Sequence, residues 1–298
     1  MAHAPAHADQ DSGKYYVPHG TPWPIIGSVA LFCLMLGAVS LLNEWAGGWA
    51  LLPGAAILAF MFFGWFGTVI GENEKGMYNL AVDRSFRMGM IWFIFSEVMF
   101  FAAFFGALFY ARELSVPWIG GEGVKIFNKI FLWPEYNAGW PTNGPQQLSP
   151  RADGSFEIIP AFGLPALNTL ILLTSGVTIT IAHHALKDGK RGLLNIFLAL
   201  TFILGFLFVG FQAEEYIEAY TEKGLQLGTG IYGSTFFMLT GFHGLHVSIG
   251  AIMLTIIWFR CLKGHFTPTR HFGFEAVAWY WHFVDVVWLG LFVFVYWI

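Results

Sequence analysis

The chain has 298 residues, of which 56% are hydrophobic and 11% are charged. Soluble domains carry about 25% charged residues, so this composition excludes a globule with a water-covered surface and indicates that much of the chain faces lipid. The formal net charge is −4, which excludes the basic surface of a nucleic-acid-binding protein.

A helix needs about 20 apolar residues to cross a bilayer, and seven stretches of the chain meet this requirement. They are residues 23–42, 48–70, 88–111, 165–186, 192–211, 231–259 and 276–298. The sequence therefore predicts an all-α, polytopic integral membrane protein. Residues 1–20 are predicted to form a flexible tail, and residues 112–164, rich in Pro, Gly and Asn, a long aqueous loop on the outer side.

The distribution of Lys and Arg predicts the orientation, because cytoplasmic loops carry an excess of basic residues. Ten of the 15 basic residues lie on the same side as the N-terminus. These are Lys14, Lys75, Arg84, Arg87, Lys187, Lys190, Arg191, Arg260, Lys263 and Arg270. On the other side only Lys223 is basic outside the long loop, so we predict a cytoplasmic N-terminus and a periplasmic C-terminus.

One carboxyl group lies deep in a predicted span. Glu97, in the stretch MIWFIFSEVMFFAAFF, is nine residues from the start of the third span, or about 13 Å from its inner end. An ionisable group at this depth is costly, which leaves two interpretations. Glu97 is either a protonated or hydrogen-bonded group that holds two helices together, or a carboxylate of a proton relay.

Three histidines and one aspartate lie in the last two spans. His243 and His246 are three residues apart, so they share one helix face and could bind a metal. Such a site needs further ligands from other helices, for which His282 is the main candidate, and hydrogen bonding is the alternative. His282 and Asp285 also share a face, either as a mutually satisfied pair or as a proton-carrying pair.

Depth predicts which histidine reaches Glu97. His246 lies about 20 Å from the inner end of the sixth span, and His243 about 24 Å. His246 is therefore the better match, and we predict a direct contact or a contact through one water. Beyond the fifth span, Glu214, Glu218 and Glu222 form an acidic stripe, which is either a solvated face or a site for a basic partner on the outer side.

Motifs that carry chemistry are absent from the sequence. It contains no GxGxxG motif after a strand, no P-loop, no HExxH and no CxxCH haem attachment site. We therefore assign no catalytic residue and no metal ligand to this chain.

Several stretches are long enough to identify a resemblance. They are RMGMIWFIFSEVMFF, LNTLILLTSGVTITIAHH, FQAEEYIEA, IYGSTFFMLTGFHGLHVSIG and HFGFEAVAWYWHFVDVVWLGLFVFVYWI. In these stretches, which cover roughly the last two thirds of the chain, the sequence resembles subunit III of cytochrome c oxidase.

The resemblance implies a seven-helix subunit in which residues 21–71 form two helices and residues 72–298 form a bundle of five, with phospholipids in the cleft between them. It implies no cofactor in this chain, because haem and copper belong to subunits I and II, its expected partners. Those subunits oxidise cytochrome c, reduce oxygen and pump protons. The resemblance implies that they do so in the bacterial cytoplasmic membrane, where cytochrome c could approach on the outer side. Subunit III stabilises them, supports proton uptake and protects against inactivation.

The resemblance also assigns roles to individual residues. Glu97 matches a carboxylate that reacts with carbodiimide, and Arg260 matches a basic residue near lipid phosphate. Trp65, Phe66 and Glu72 correspond to the lipid-binding part of the second span, although the stretch WFGTVIGE lacks the basic residues common there in relatives.

Two alternatives remain. The third subunit of quinol oxidases is related, but it is shorter and usually has five spans. A secondary transporter could use Glu97, His246 and Asp285 as a proton-coupled site, but transporters tend to consist of inverted repeats. Seven spans do not divide into equal halves.

Overall fold

The computed structural model describes residue 17 and residues 19–298. Within that part of the chain the secondary structure is helical, without strands, and seven helices are long and apolar enough to cross a membrane. The helices are α1 (Trp23–Leu42), α2 (Leu52–Glu74), α3 (Leu80–Tyr110), α4 (Val116–Ile119), α5 (Leu164–Lys187), α6 (Arg191–Thr221), α7 (Gly230–Leu262) and α8 (Phe272–Leu291). The predicted all-α membrane fold is confirmed. Most of the predicted tail lies outside the described residues.

Two helices extend well beyond the apolar stretches that predicted them. α3 begins at Leu80 rather than at residue 88, and its polar first turns contain an ion pair between Arg87 Nε and Asp83 Oδ2 at 2.8 Å. α6 continues to Thr221 rather than ending at residue 211. Apolar length marks the part of a helix that lies in lipid, whereas hydrogen-bonded polar turns extend the helix beyond it.

The connection predicted at residues 112–164 begins later than predicted, because helical structure continues past Tyr110. A π-helical turn, Ala111–Ser115, leads directly into α4, which ends at Ile119. Further turns follow at Gly123–Lys125 and Asn128–Leu132. The rest of the connection packs against the bundle core, since Ile159 is 4% exposed and the ring of Trp140 lies 5.6 Å from that of Tyr232 in α7.

The chain divides into two compact units, one reaching to Met88 and one beginning at Gly89. In the first unit, α1 and α2 approach closely at glycines. A Cβ atom on Gly54 of α2 would lie 2.5 Å from the backbone nitrogen of Leu34 in α1. One on Gly37 of α1 would lie 2.4 Å from Ala50 O, in the turn that precedes α2. Trp23 Nε1 also donates a hydrogen bond to Thr68 Oγ1 at 3.1 Å.

In the second unit, α5, α6, α7 and α8 surround buried tryptophans. Trp281 of α8 is fully buried, and its Nε1 donates to Ser175 Oγ of α5 at 2.9 Å. Its ring occupies the space beside Gly205 of α6 and Gly250 of α7, where a Cβ atom would lie 2.6 and 2.8 Å from ring carbons. One indole therefore contacts three neighbouring helices.

Contacts between connections close both ends of this unit. At the end where α5 and α7 finish, Arg191 Nη2 donates to the carbonyl of Phe266. At the opposite end, Arg151 donates to Glu157 Oε1 at 3.0 Å and to the carbonyl of Glu222. The two basic connections, between α5 and α6 and between α7 and α8, thus lie at the same end of the bundle.

Candidate functional site: polar side chains at membrane depth

Glu97 of α3 and His246 of α7 are hydrogen-bonded to each other, as predicted. Glu97 Oε2 lies 2.9 Å from His246 Nε2, and the other ring nitrogen, Nδ1, lies 2.6 Å from the carbonyl of Phe242. A carbonyl only accepts hydrogen bonds, so Nδ1 carries a hydrogen. The bond between Nε2 and Oε2 then needs one proton, which comes either from a protonated carboxyl or from an imidazolium. In both cases the pair has no net charge.

Aromatic rings enclose this pair. The centroid of the His246 ring lies 5.0 Å from Phe101, 6.2 Å from Phe283 and 6.3 Å from Tyr280. The side chains of His246 and Glu97 are 11% and 23% exposed. Such surroundings have a low dielectric constant, in which an isolated charge is costly and a neutral hydrogen-bonded pair is not.

The observed helix bounds explain why the two side chains meet. Glu97 lies 17 residues from Leu80, at the start of α3, and His246 lies 16 residues from Leu262, at the end of α7. These distances correspond to about 25 and 24 Å along the helices. The mismatch of about 7 Å in the sequence-based depths arose because the inner turns of α3 are polar and were not counted.

His243 lies on the same face of α7 but contacts other helices. It is fully buried, its Nε2 donates to the carbonyl of Val284 in α8 at 3.2 Å, and its ring lies 5.0 Å from that of Trp288. His243 and His246 therefore bind different partners, as the hydrogen-bonding interpretation expects. Among the described residues no group of three or more His, Cys, Asp or Glu side chains is placed to hold a metal ion.

His282 and Asp285 of α8 form the predicted neighbouring pair, with Nδ1 and Oδ2 3.4 Å apart. The Asp285 carboxylate fits against α5 because residue 176 is glycine, where a Cβ atom would lie 2.4 Å from Oδ2. His282 Nε2 lies 3.3 Å from Thr180 Oγ1. The Asp285 side chain is 9% exposed, but that of His282 is 46% exposed.

A third carboxyl group was missed by the sequence analysis. Glu215 is 1% exposed, accepts a hydrogen bond from Tyr296 Oη at 2.6 Å, and its Oε2 has no partner among the described residues. The signal was its helical spacing, because Glu215 follows the buried Phe208 and Gln212 at seven and three residues. The predicted acidic stripe of Glu214, Glu218 and Glu222 lies on the adjacent face of α6, which does not include Glu215. On that face Glu218 forms an ion pair with Lys223 at 3.0 Å.

The residues predicted to bind lipid lie in both units. In the first, Trp65 and Phe66 are 49% and 58% exposed with rings 6.3 Å apart, and Glu72 Oε2 accepts a hydrogen bond from Tyr78 at 2.6 Å. In the second, the Arg260 guanidinium lies 4.5 Å from the centroid of the Phe266 ring, in the last turn of α7.

Comparisons with known proteins match nearly the whole chain. The family profile described as cytochrome c oxidase subunit III matches residues 13–130 and 135–298. Cytochrome c oxidase subunit 3 of Marchantia polymorpha is 42% identical over 285 residues, 95% of this chain and 96% of the relative. That of Prototheca wickerhamii is 41% identical over 95% of this chain and 96% of the relative. That of Carassius auratus is 40% identical over 298 residues, 100% of this chain and 99% of the relative. The similarity thus includes the first two spans.

Proposed function

The chain belongs to the cytochrome c oxidase subunit III family, and from this premise we propose that it is the non-redox subunit that stabilises the catalytic core of a proton-pumping oxidase. Membership makes it part of an oxidoreductase complex. The finer assignment is that it assembles with subunits I and II, which hold the haem and copper, supports their proton uptake and binds structural phospholipid.

The observation that carries this proposal is the bond between Glu97 and His246. It joins α3 to α7, has no net charge and is enclosed by aromatic rings. A relay carboxylate must gain and lose protons and needs a path to water. The single proton between Glu97 and His246 is held in a hydrogen bond between α3 and α7. The pair is therefore suited to hold those two helices together. The contribution to proton uptake is therefore indirect, through the stability of the assembly.

The lipid-binding part of the proposal uses two sets of residues, one in each unit. Exposed stacked rings at Trp65 and Phe66 are suited to acyl chains, and near them Gly67, Gly71, Glu72 and Lys75 line a groove on α2. In the second unit, the guanidinium of Arg260 is suited to bidentate contact with a phosphate. A purified oxidase with Arg260→Gln should retain a smaller amount of tightly bound phospholipid than the unmodified oxidase. The amount is measured by extracting and quantifying the phospholipid of both preparations.

We propose a bacterial cytoplasmic membrane as the location, with the N-terminus in the cytoplasm. The basic connections between α5 and α6 and between α7 and α8 support this orientation because cytoplasmic loops are enriched in Lys and Arg. Single cysteines placed at Lys190 and Lys263 should then resist labelling from the periplasm in intact cells. Efficient labelling of either would reverse the orientation and, with it, the proposed outer-side approach of cytochrome c.

The function is tested by separating electron transfer from proton pumping. An oxidase that carries Glu97→Gln should pump with unchanged proton stoichiometry, because glutamine keeps the interhelical hydrogen bond. An oxidase without this subunit should keep its initial rate of oxygen reduction but lose proton-uptake efficiency or lifetime during turnover. Lost pumping in the glutamine variant would assign Glu97 to the relay, and immediate loss of all oxygen reduction would contradict a non-redox role.

A further inference from the structure

A short helical segment, residues 123–132, lies in the connection that follows the third span. It joins the turn Gly123–Lys125 to the turn Asn128–Leu132 without a break. Its sequence, GVKIFNKIFL, is largely apolar, although the connection as a whole was predicted to be aqueous. A patch of exposed large apolar side chains marks an interaction surface rather than an ordinary water-facing one. Those of this segment, 47–89% exposed, are Val124, Ile126, Phe127, Ile130, Phe131 and Leu132.

The segment is amphipathic. At 3.6 residues per turn, an arc of roughly 160° contains all of its large apolar residues except Leu132. Within this apolar side the rings of Phe127 and Phe131 stack, with centroids 5.8 Å apart. The polar side, on the opposite arc, consists of Lys125, Asn128 and Lys129.

The polar side faces the rest of the chain. Asn128 Nδ2 donates a hydrogen bond to the carbonyl of Trp118 in α4 at 3.0 Å. The backbone turns back at Gly121, whose φ is 88°, and a Cβ atom on this glycine would lie 2.6 Å from Lys129 Cβ. On a water-soluble protein an amphipathic helix has the reverse orientation, with its apolar side against the core. The observed orientation turns the apolar side outward, where it needs an apolar environment.

The position along the third span places the segment at the outer membrane interface. Glu97 lies about 13 Å from the inner end of the apolar stretch, and Tyr110 lies thirteen residues, or about 20 Å, further along α3. Tyr110 therefore lies close to the outer edge of a hydrocarbon core about 30 Å thick. The rings of Tyr110 and Trp118 are 6.1 Å apart, and these residue types are enriched at the interface. Because Asn128 contacts Trp118, the segment lies at the same level.

The charge of the polar side fits anionic head groups. Lys125 and Lys129 are four residues apart and exposed, and neither forms an ion pair within the part of the chain that the structure describes. Helices that lie in the plane of the interface carry Lys or Arg on one side and Phe or Leu on the other, with the apolar side buried about 5–10 Å deep. A lysine stem is long enough to bring its ammonium group to the phosphate level from there.

We propose that residues 123–132 are an interfacial anchor of this subunit. Its apolar side inserts among the acyl chains of the outer leaflet, and its two lysines bind anionic phospholipid head groups. The anchor lies at the end of the bundle opposite to Arg260, so it is a lipid contact separate from those proposed above. It does not rest on the proposed function, because the argument uses only the membrane location of the chain.

Photocrosslinking tests the insertion in the assembled oxidase, reconstituted in nanodiscs of phosphatidylcholine and phosphatidylglycerol. A photoreactive phenylalanine analogue replaces Phe127 or Phe131. The control is Leu148, an exposed apolar residue of the same connection whose neighbours Gln147 and Ser149 are polar. We expect phospholipid adducts at 127 and 131 in several-fold higher yield than at 148. Equal yields at the three positions, or adducts at 127 and 131 to peptides of another protein, would overturn the proposal.

Trypsin provides a second test, because it cleaves after Lys125 and Lys129. In nanodiscs we expect the double variant Phe127→Ser, Phe131→Ser to be cleaved there several-fold faster than the unmodified chain, since the segment no longer stays in the interface. Leu148→Ser is the control and should leave the rate unchanged. A double variant cleaved as slowly as the unmodified chain would contradict the anchor. If it fails to assemble, the crosslinks still decide, because the photoreactive analogue keeps an aromatic ring.

The contribution of the lysines is tested separately. With Lys125→Gln and Lys129→Gln, the share of phosphatidylglycerol among the lipid adducts at position 131 should fall several-fold towards its share in the nanodisc. The unmodified lysines should hold it above that share. A share that equals the nanodisc composition before and after substitution would refute the head-group contact.

Discussion

The two units of this protein hold their helices together in different ways. In the most apolar 18-residue stretch of each span, 11% of the residues are buried in the first two spans, whereas 61% are buried in the last span, Phe272–Trp297. The first pair relies mainly on glycines that bring backbones into contact, with one interhelical hydrogen bond from Trp23 to Thr68. The second unit also has close contacts at glycines, around Trp281, and adds hydrogen bonds from tryptophan, threonine, histidine and carboxyl side chains. In lipid no hydrophobic effect drives helices together, so association depends on close packing and interhelical hydrogen bonds. The two units therefore differ in the number of interhelical hydrogen bonds that they add to close packing.

The largest effect should follow from removing the shared tryptophan of the second unit. Trp281→Ala leaves a cavity between α5, α6 and α7 and leaves Ser175 Oγ without its donor. We expect the free energy of unfolding to fall by about 3–5 kcal/mol, measured in mixed micelles with increasing SDS. Trp92→Ala, at a 64% exposed position of α3, is the control and should change it by about 0.5 kcal/mol or less. Equal effects would mean that burial of this indole is not what stabilises the unit.

A smaller effect is expected from one methyl group in the first unit. Gly54→Ala places a Cβ atom against the backbone of α1, which cannot move as a side chain could, so we expect a loss of about 1–3 kcal/mol. Gly67→Ala in the same helix is the control, because nothing lies within 4 Å of its added Cβ atom. The check is the yield of a disulfide between cysteines placed on α1 and α2. If the two variants behave alike, close backbone packing is not what joins this pair.

Substitutions of Glu97 test whether the hydrogen bond to His246 or the carboxyl charge stabilises the second unit. Glu97→Leu leaves His246 Nε2 unpaired in an aromatic environment and should destabilise the unit by about 1–3 kcal/mol. Glu97→Gln is neutral and can donate to Nε2, so its cost should be below about 1 kcal/mol. SDS titration of both variants measures the difference. A glutamine variant as unstable as the leucine variant would show that the carboxyl charge, rather than the bond, matters.

The smallest effect concerns a single hydroxyl pair between α5 and α6. Thr178 Oγ1 and Thr201 Oγ1 lie 2.8 Å apart, and both residues are buried. Thr178→Val and Thr201→Val, alone and combined, form a double-mutant cycle. We expect a coupling energy of about 0.6 kcal/mol, the usual size of such bonds in membranes. A coupling near zero would mean that this hydroxyl pair adds nothing to the packing of α5 against α6.

The sequence predicted the contact of Glu97 correctly because the cost of an ionisable group in lipid applies to that residue whatever its neighbours are. The cost of a carboxyl group in lipid made Glu97 conspicuous, and comparison of depths selected His246 over His243. The same reasoning missed Glu215, because a carboxylate near the end of a span was assumed to face water. Whether such a residue faces water or Tyr296 depends on the rotation of α6, which the adjacent Glu214 and Glu218 did not reveal.

Apolar length alone was enough to establish seven membrane helices, because a bilayer imposes the same length on every span. It did not place the ends of α3 and α6, since hydrogen-bonded polar turns continue a helix into water. Nor did it distinguish the exposed faces of α5 and α8 from those of α6 and α7, because apolar length is a property of a whole helix and not of one of its faces. That difference appeared only once packing had buried Asp285 behind Gly176 and left His282 exposed, since exposure depends on the neighbours that a side chain acquires in the folded bundle.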